Sequence, residues 1–285
     1  MLNVLIIGSN SNIAKDFCNF LIKKNLSKSI YGIDIQDKSI IKSKKFFYYK
    51  YNLSNDASKI KKINEKIDLA IIFSFDLNFK NKKKVNYMNG GKKIINNSLN
   101  IIKENEITKV IYLSSMAVYG NQNKTFTEKT KIKPNTIYGE LKVISENIVK
   151  KRSKNNYKYL IFRLSQIYGK NIKSSWVHKF FNDTKTGKIL TIFGNGKQKR
   201  DLLHIDDLLN LIRKSLRFSK SSIYNVCSEK VYSLNEVLKI FKSKFQYGKA
   251  INPKNEVLNI ISKNTKIKKE FNWKAKKSLS KKLFY

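Results

Sequence analysis

Tyr138 and Lys142 stand four apart in residues 134–151, where Ile137, Leu141, Ile144 and Ile148 recur at the spacing of an amphipathic helix. On such a helix the phenol and the ammonium lie one turn from each other. A cation beside a phenol favours the phenolate, so Lys142 is expected to lower the Tyr138 pKa from its reference near ~10 and make it a general acid and base at neutral pH. Ser115, at the end of the hydrophobic strand expected over residues 110–113, offers a hydroxyl to hold a substrate oxygen. Lysine is abundant in this chain, so the pair alone also describes a solvent-facing helix. The elements around it must decide.

Those elements alternate. Residues 2–7 read as a buried parallel strand. Gly8-Ser9-Asn10-Ser11-Asn12-Ile13-Ala14 follows, then a helix expected to turn Ile13, Phe17, Phe20 and Leu21 inward. Strand, tight turn and helix make the setting in which backbone N–H groups at a helix start face a pyrophosphate. An ordinary βα turn has the same outline. A second strand over 29–35 ends at Asp34, whose carboxylate can accept from adenosine ribose hydroxyls and would repel a 2′-phosphate; this favours NAD over NADP. Residues 46–51 form an aromatic strand, and Asn52-Leu53-Ser54-Asn55 a turn with a helix start. A fourth strand covers 68–73, a polar loop 74–84, and a helix 86–104 with Ile94, Ile95, Leu99 and Ile102 inward. The 110–113 strand then delivers Ser114 and Ser115. The βαβαβ order predicts an α/β fold with a doubly wound parallel sheet.

Beyond the Tyr138 helix, a strand over 160–164 carries Arg163, a helix over 175–184 carries His178, and a strand over 189–193 leads into the turn Gly194-Asn195-Gly196. Asp206 is placed to cap a helix through Leu208, Leu209, Ile212 and Leu216. A strand follows over 223–226. Ser233-Leu234-Asn235-Glu236 has the form of a capping box. The basic tail, 265–285, reads as a helix around Phe271 and Trp273.

Composition narrows the class. The 285 residues are 41% hydrophobic, enough for a real core. Cys18 and Cys227 are far apart with no Cys-x-x-Cys, which points to a reducing compartment and no zinc site. The formal charge of +39 suits nucleic acid or an anionic membrane surface. The lysines spread from end to end, however, with no separate basic arm, so nucleic acid is not the expected partner; the charge would steer an anionic substrate. The apolar start is too short for a signal peptide, and no apolar run reaches spanning length. A soluble cytoplasmic protein without membrane insertion is expected.

Taken in order, GSNSNIA, Asp34, VNYMNGG, YLSSMAVYG, Tyr138-x-x-x-Lys142, FRLSQIYG, FGNGKQKRDLLHIDD and YNVCSE make the chain resemble the extended short-chain dehydrogenases/reductases, in their NAD-dependent epimerase/dehydratase branch. The likeness runs from Gly8 to about Trp273. It implies a Rossmann domain over 1–165 and a smaller, mainly substrate-binding lobe over 166–285, with some segments returning to the sheet. It implies NAD held by Gly8, Ser11, Asn12, Ile13, Asp34, Asn52, Leu53, Tyr138 and Lys142, and a catalytic Ser115, Tyr138 and Lys142. It implies a nucleotide-sugar substrate met by Ser115, Asn86, Gln166 and Arg200, the arginine on the diphosphate, with hydride transfer at a sugar carbon, commonly C4. Relatives often dimerise through the helix carrying Tyr138 and the one before it; Ile144 and Ile148 would suit that role or an internal core.

The departures are informative. Only Gly8 survives of the glycine-rich loop; Ser11 and Ala14 stand where further glycines are usual. The segment after Phe73 is short and presents Ile72, Ser74 and Phe75. Where a 4,6-dehydratase carries an acid/base carboxylate pair, this chain has Met116 and Ala117, which transfer no protons; dehydration is therefore disfavoured. A 4-epimerase or a keto-sugar reductase needs only the triad and the cofactor. His178 is a candidate extra acid, or a packed structural histidine. His204 is expected to brace the 200–207 turn, Arg163 to pair with a structural carboxylate, and Trp176 and Trp273 to pack in the core. The competing class is a catalytically silent dinucleotide-binding sensor or RNA-binding module, which would need none of Ser115, Tyr138 and Lys142.

Overall fold

The apolar runs of the first half become strands because they are buried on both faces, as central parallel strands must be. The computed structural model describes residues 1–55, 62–74, 83–248 and 259–285. Its first elements are β1 (Leu2–Ile7), α1 (Asn12–Lys23), β2 (Ser27–Asp34), β3 (Phe46–Lys50), β4 (Leu69–Ile72), α2 (Lys84–Glu104), β5 (Lys109–Ser115), α3 (Ile137–Ser153) and β6 (Lys158–Leu164). There follow β7 (Gln166–Tyr168), α4 (Trp176–Lys185), β8 (Leu190–Phe193), β9 (Lys199–His204), α5 (Ile205–Ser215) and β10 (Ser222–Val226). The last are β11 (Val231–Ser233), α6 (Leu234–Phe241), β12 (Phe245–Gly248), β13 (Asn259–Ile260) and α7 (Thr265–Phe271).

Seven strands form one sheet in the order β10-β6-β5-β4-β1-β2-β3. β1 pairs in parallel with both β2 and β4, β2 with β3, and β4 with β5. This is the doubly wound parallel sheet expected. The chain winds outward from β1 in both directions, and ligands bind such sheets beyond the carboxyl ends of the strands at that reversal.

Contacts group the residues into two compact units: 1–118, 134–162 and 216–223 in the first, and 119–133, 163–215 and 224–285 in the second. The first packs Leu5, Ile7, Ile33, Ala70, Ile72 and Val110 of the sheet against Ile95, Leu99 and Ile102 of α2 and Val149 of α3. In the second, β9 is flanked by antiparallel β11 and parallel β13, with β7 also on β9. Its core gathers Tyr168, Val177, Phe181, Leu202, Val237, Phe241 and Phe284. Among the described residues no helix is long and apolar enough to cross a membrane.

Several local expectations are corrected. α3 buries Gly139, Leu141, Lys142, Ser145, Glu146 and Val149, whereas Ile137, Ile144 and Ile148 are only half-buried. The helix is turned towards polar groups at the end of β5 rather than along its isoleucine stripe. α1 buries Ala14, Phe17, Cys18 and Leu21; Ile13 and Phe20 are half-buried. Asp206 does not cap α5. Its N–H instead donates to His204 Nδ1 at 3.2 Å, so His204 holds the helix start. Asp207 is the buried carboxylate here, accepting from the N–H groups of Lys276 and Lys277 at 3.0 and 2.9 Å. The tail helix stops at Phe271 on a left-handed Asn272, φ 44°, and Trp273 lies beyond it, donating Nε1–H to the Asp207 carbonyl at 3.0 Å. The helix start expected after Asn55, most of the 74–84 loop and Phe75 lie outside the described residues.

Candidate active site

The nucleotide loop is built around Gly8. Its φ is +84°, and a Cβ there would stand 2.5 Å from the backbone N of Ser74 and 2.7 Å from its Cα. Only glycine lets β1 turn so close to the chain leaving β4. The N–H groups of Gly8 and Ser9 donate to the Ile33 carbonyl at 2.8 and 3.2 Å, and that of Ser11 to the Gly8 carbonyl at 3.2 Å. Ser11 is the N-cap of α1, its Oγ accepting from the Ala14 N–H at 3.4 Å. A serine at that position thus closes the helix start. The first-turn N–H groups of Asn12 and Ile13 have no partner further back in their own helix. That turn carries no acidic residue. A helix N-terminus of this kind attracts a phosphate oxygen, so the loop fits a pyrophosphate despite its missing glycines.

Asp34 ends β2 beside that loop. Its Oδ2 accepts from the Asn10 N–H at 2.9 Å and its Oδ1 from the Ile35 N–H at 2.8 Å, which leaves a lone pair on each oxygen for a ribose hydroxyl. Asn10, overlooked in the sequence, fastens the loop after β2: its Nδ2 donates to Gln36 Oε1 at 3.0 Å and the Lys38 carbonyl at 3.1 Å, and its Oδ1 accepts from the Ile40 N–H at 3.2 Å. Asn52 turns its Oδ1 to the Ser54 N–H and hydroxyl at 3.0 and 2.6 Å. Leu53 is buried, and its carbonyl accepts from Asn97 Nδ2 of α2 at 2.8 Å, a second asparagine that sequence pattern did not single out.

Ser115, Tyr138 and Lys142 come together at the carboxyl end of β5. Thr136 caps α3, its Oγ1 accepting from the Gly139 N–H at 3.0 Å. A Cβ on Gly139 would meet the Ala117 carbonyl at 2.5 Å, so this glycine lets the first turn of α3 press against the chain just after β5. This sets the Ser115 side chain close enough to act on the Tyr138 phenol; Ser115 Oγ accepts from the Ala117 N–H at 3.2 Å. Lys142 is buried, its Nζ donating to the Leu113 carbonyl at 2.7 Å. That Nζ lies 4.9 Å from the Tyr112 ring centroid and 5.9 Å from that of Tyr138.

The electrostatics differ from the simple expectation. Loss of water around the Tyr138 phenol pushes its pKa above the usual tyrosine range, and the Ser115 side chain acts the other way. Burial brings the Lys142 ammonium down to about 7, opposed by the charge of Glu146. The lysine therefore does not lower the phenol as expected: desolvation dominates both groups, and Nζ is engaged by the Leu113 carbonyl.

The remaining candidates are dispersed. Asn86 is exposed in the first turn of α2. In the second unit, Gln166 opens β7 with its amide on the Ile167 carbonyl at 3.4 Å, and Arg200 lies on β9 beside Tyr232, its Nη1 donating to the Lys199 carbonyl at 2.9 Å. His178 is buried in α4, its Nδ1 3.3 Å from the Gly169 carbonyl oxygen. Trp176 packs edge-on against Phe180 with centroids 5.2 Å apart. Arg163 donates to the Tyr119 phenol at 2.9 Å with its guanidinium 5.0 Å from that ring's centroid. No group of metal-binding side chains occurs among the described residues.

Residues 4–227 match the family model described as the NAD dependent epimerase/dehydratase family. The chain belongs to this family. Its similarity to dTDP-4-dehydro-6-deoxyglucose reductase of Escherichia coli is 25% identity over 258 residues, covering 85% of this chain and 81% of that protein. A dTDP-D-glucose 4,6-dehydratase of Dictyostelium discoideum is 26% identical over 250 residues, 78% of this chain; the match spans only 57% of that relative's length. Among solved structures, UDP-glucuronic acid 4-epimerase from Bacillus cereus, in complex with UDP-glucuronic acid and NAD, superposes with a TM-score of 0.86 at 20% identity, covering 99% of this chain and 96% of that one. Family membership carries the expected cofactor, NAD, and the Gly8 loop and Asp34 fit it.

Proposed function

We propose that this protein is an NAD-dependent enzyme acting on a nucleotide-activated sugar, as a keto-sugar reductase or a 4-epimerase. The observation that carries the reading is the gathering of Ser115, Tyr138 and a buried Lys142, one turn from the tyrosine, at the carboxyl end of β5. NAD, when bound, accepts or supplies the hydride. In this reading Gly8, Ser11, Asn12 and Ile13 hold its pyrophosphate, Asp34 its adenosine ribose, and Asn52 and Leu53 line the same side. Ser115 orients the reacting oxygen of the sugar and stabilises charge developing on it. Tyr138 gives that oxygen a proton in reduction and takes one in oxidation. A phenol held above its usual range is protonated at neutral pH, which suits the donor role. Lys142 meets the cofactor ribose.

Residues 1–165 serve the cofactor, and residues 166–285 chiefly the substrate, with Arg200 on the diphosphate and Gln166 and Asn86 contributing. Met116 is buried in the turn after β5 and Ala117 follows it; neither transfers a proton, which speaks against sugar dehydration. The coverage of the E. coli reductase along most of both chains favours reduction. The charge of +39 draws an anionic nucleotide towards the site rather than nucleic acid. Cys18 and Cys227 are buried free thiols, in keeping with a cytoplasmic location, and self-association through α2 and α3 is part of the same reading. The test is a screen of nucleotide sugars and their 4-keto forms with NAD(H), followed by nicotinamide absorbance and product NMR. Stoichiometric NADH consumption marks a reductase; inversion without net cofactor change marks an epimerase; no conversion of any member of the panel by NAD-loaded protein refutes the proposal.

A further inference from the structure

Three consecutive residues of β5 each face one polar group of α3. The Leu113 carbonyl accepts from Lys142 Nζ at 2.7 Å, the Ser114 hydroxyl donates to Glu146 Oε1 at 2.6 Å, and the Ser115 side chain acts on the Tyr138 phenol. The outer two contacts belong to the chemistry proposed above. The middle one does not, yet Glu146 is 2% exposed, and a carboxylate is almost never fully buried without a partner that needs it. Glu146 lies one turn beyond Lys142 on the same face of α3, the i,i+4 relation that brings side chains together. Both are among the residues α3 buries.

We propose that Glu146, fixed by the Ser114 hydroxyl, is the counter-charge that keeps Lys142 an ammonium at neutral pH, and so sets the pH range in which the cofactor is held. It is a positioning residue that acts through Lys142, and the inference rests on the reading of Lys142 as a cofactor contact. The other titratable groups that act with this pair are phenols: Tyr138 on α3, Tyr112 on β5, Tyr87 on α2 acting on Tyr112, and Tyr159 on β6, on which the charge of Glu146 acts. Burial holds Tyr112, Tyr138 and Tyr159 above the ordinary phenol range, so they stay neutral where the lysine titrates. The charge that supports the Lys142 ammonium against its burial is that of Glu146.

The test is NADH affinity, read by nicotinamide fluorescence from about pH 5.5 to about pH 9, a span that brackets the lysine's transition. Wild-type affinity should weaken with rising pH around a midpoint near 7, where Lys142 loses its proton. Glu146→Gln keeps an acceptor for Ser114 and removes the charge, and Glu146→Met fills the space without polarity. In either variant that folds, as shown by wild-type-like affinity at the acid end, the midpoint should move about one pH unit or more towards acid. At pH 7 that takes the charged fraction from about one half to about one eleventh, a roughly fivefold loss of affinity. Glu146→Asp should restore the midpoint, and Lys142→Arg, permanently charged, should abolish the transition. An unchanged midpoint in the neutral variants, or a transition that persists in Lys142→Arg, overturns the inference while leaving the functional reading intact. Failure of the wild-type protein to bind NADH at any pH overturns the functional reading itself.

Discussion

Replacing Gly8 by alanine tests whether the nucleotide loop is shaped by backbone proximity. The added Cβ would sit 2.5 Å from Ser74 N, 2.7 Å from Ser74 Cα and 3.0 Å from the Phe73 carbonyl carbon. These are backbone atoms at the end of β4, so no side chain can swing aside. The φ of +84° is itself unfavourable for an L-residue, by about 1–2 kcal/mol. Forcing the two chain segments apart adds about 1–3 kcal/mol, the usual range for overpacking. Together the loss of folding stability should be about 2–5 kcal/mol, a large part of the roughly 5–15 kcal/mol available to a typical domain. The same displacement would move the Asn12 and Ile13 N–H groups, so NAD affinity should fall as well. Urea unfolding gives the first quantity and titration calorimetry with NAD the second. A variant within about 0.5 kcal/mol of wild type and with unchanged NAD affinity would refute the argument.

Two further substitutions bear on the site and its frame. Asp34→Asn retains an acceptor for the Asn10 N–H but removes the charge that repels a 2′-phosphate; stability should change by less than about 1 kcal/mol while the preference for NAD over NADP falls at least about tenfold in competition binding. His204 accepts from the Asp206 N–H, and burial lowers its pKa below the ordinary value, with Asp206 and Asp207 opposing. The unfolded chain therefore takes up a proton before the folded one does, so this group's contribution is complete above about pH 6.5 and is lost as pH falls towards the lowered folded value. His204→Asn keeps an N-cap acceptor and should flatten that acid-side slope in melting temperature measured between about pH 5 and pH 8.

What could be read in advance follows from how local the cause is. The buried strands β1, β4 and β5 are apolar without alternation, so their type and order were legible. The capping box was also legible, because both partners lie within four residues: Ser233 Oγ accepts from the Glu236 N–H at 3.2 Å, and the Ser233 N–H donates to Glu236 Oε2 at 2.7 Å. The short strands β7, β11 and β13 were not, because each is created by pairing with β9, distant in sequence. The buried face of α3 was misread for a related reason. Hydrophobic spacing favoured Ile144 and Ile148, whereas polar partners on β5 draw Lys142, Ser145 and Glu146 inward. Tyr138, Lys142 and Ser115 could be singled out from residue type and spacing, and they meet at the carboxyl end of β5. Asn10 and Asn97 were missed because their partners are loop carbonyls and backbone N–H groups, which leave no signature in the side-chain pattern. The sign of the Tyr138 shift was missed because spacing reports the neighbour and not the burial.

The central claim is that the Tyr138 phenol moves the proton while the rest of the site holds the cofactor. Tyr138→Phe removes one oxygen and leaves the ring, α3 and the Gly8 loop in place. With a nucleotide sugar that the wild-type protein converts, the account predicts turnover reduced by at least about 100-fold, the lower end for loss of a general acid or base, with NAD affinity within about twofold of wild type. Turnover within tenfold of wild type at unchanged NAD affinity would contradict it.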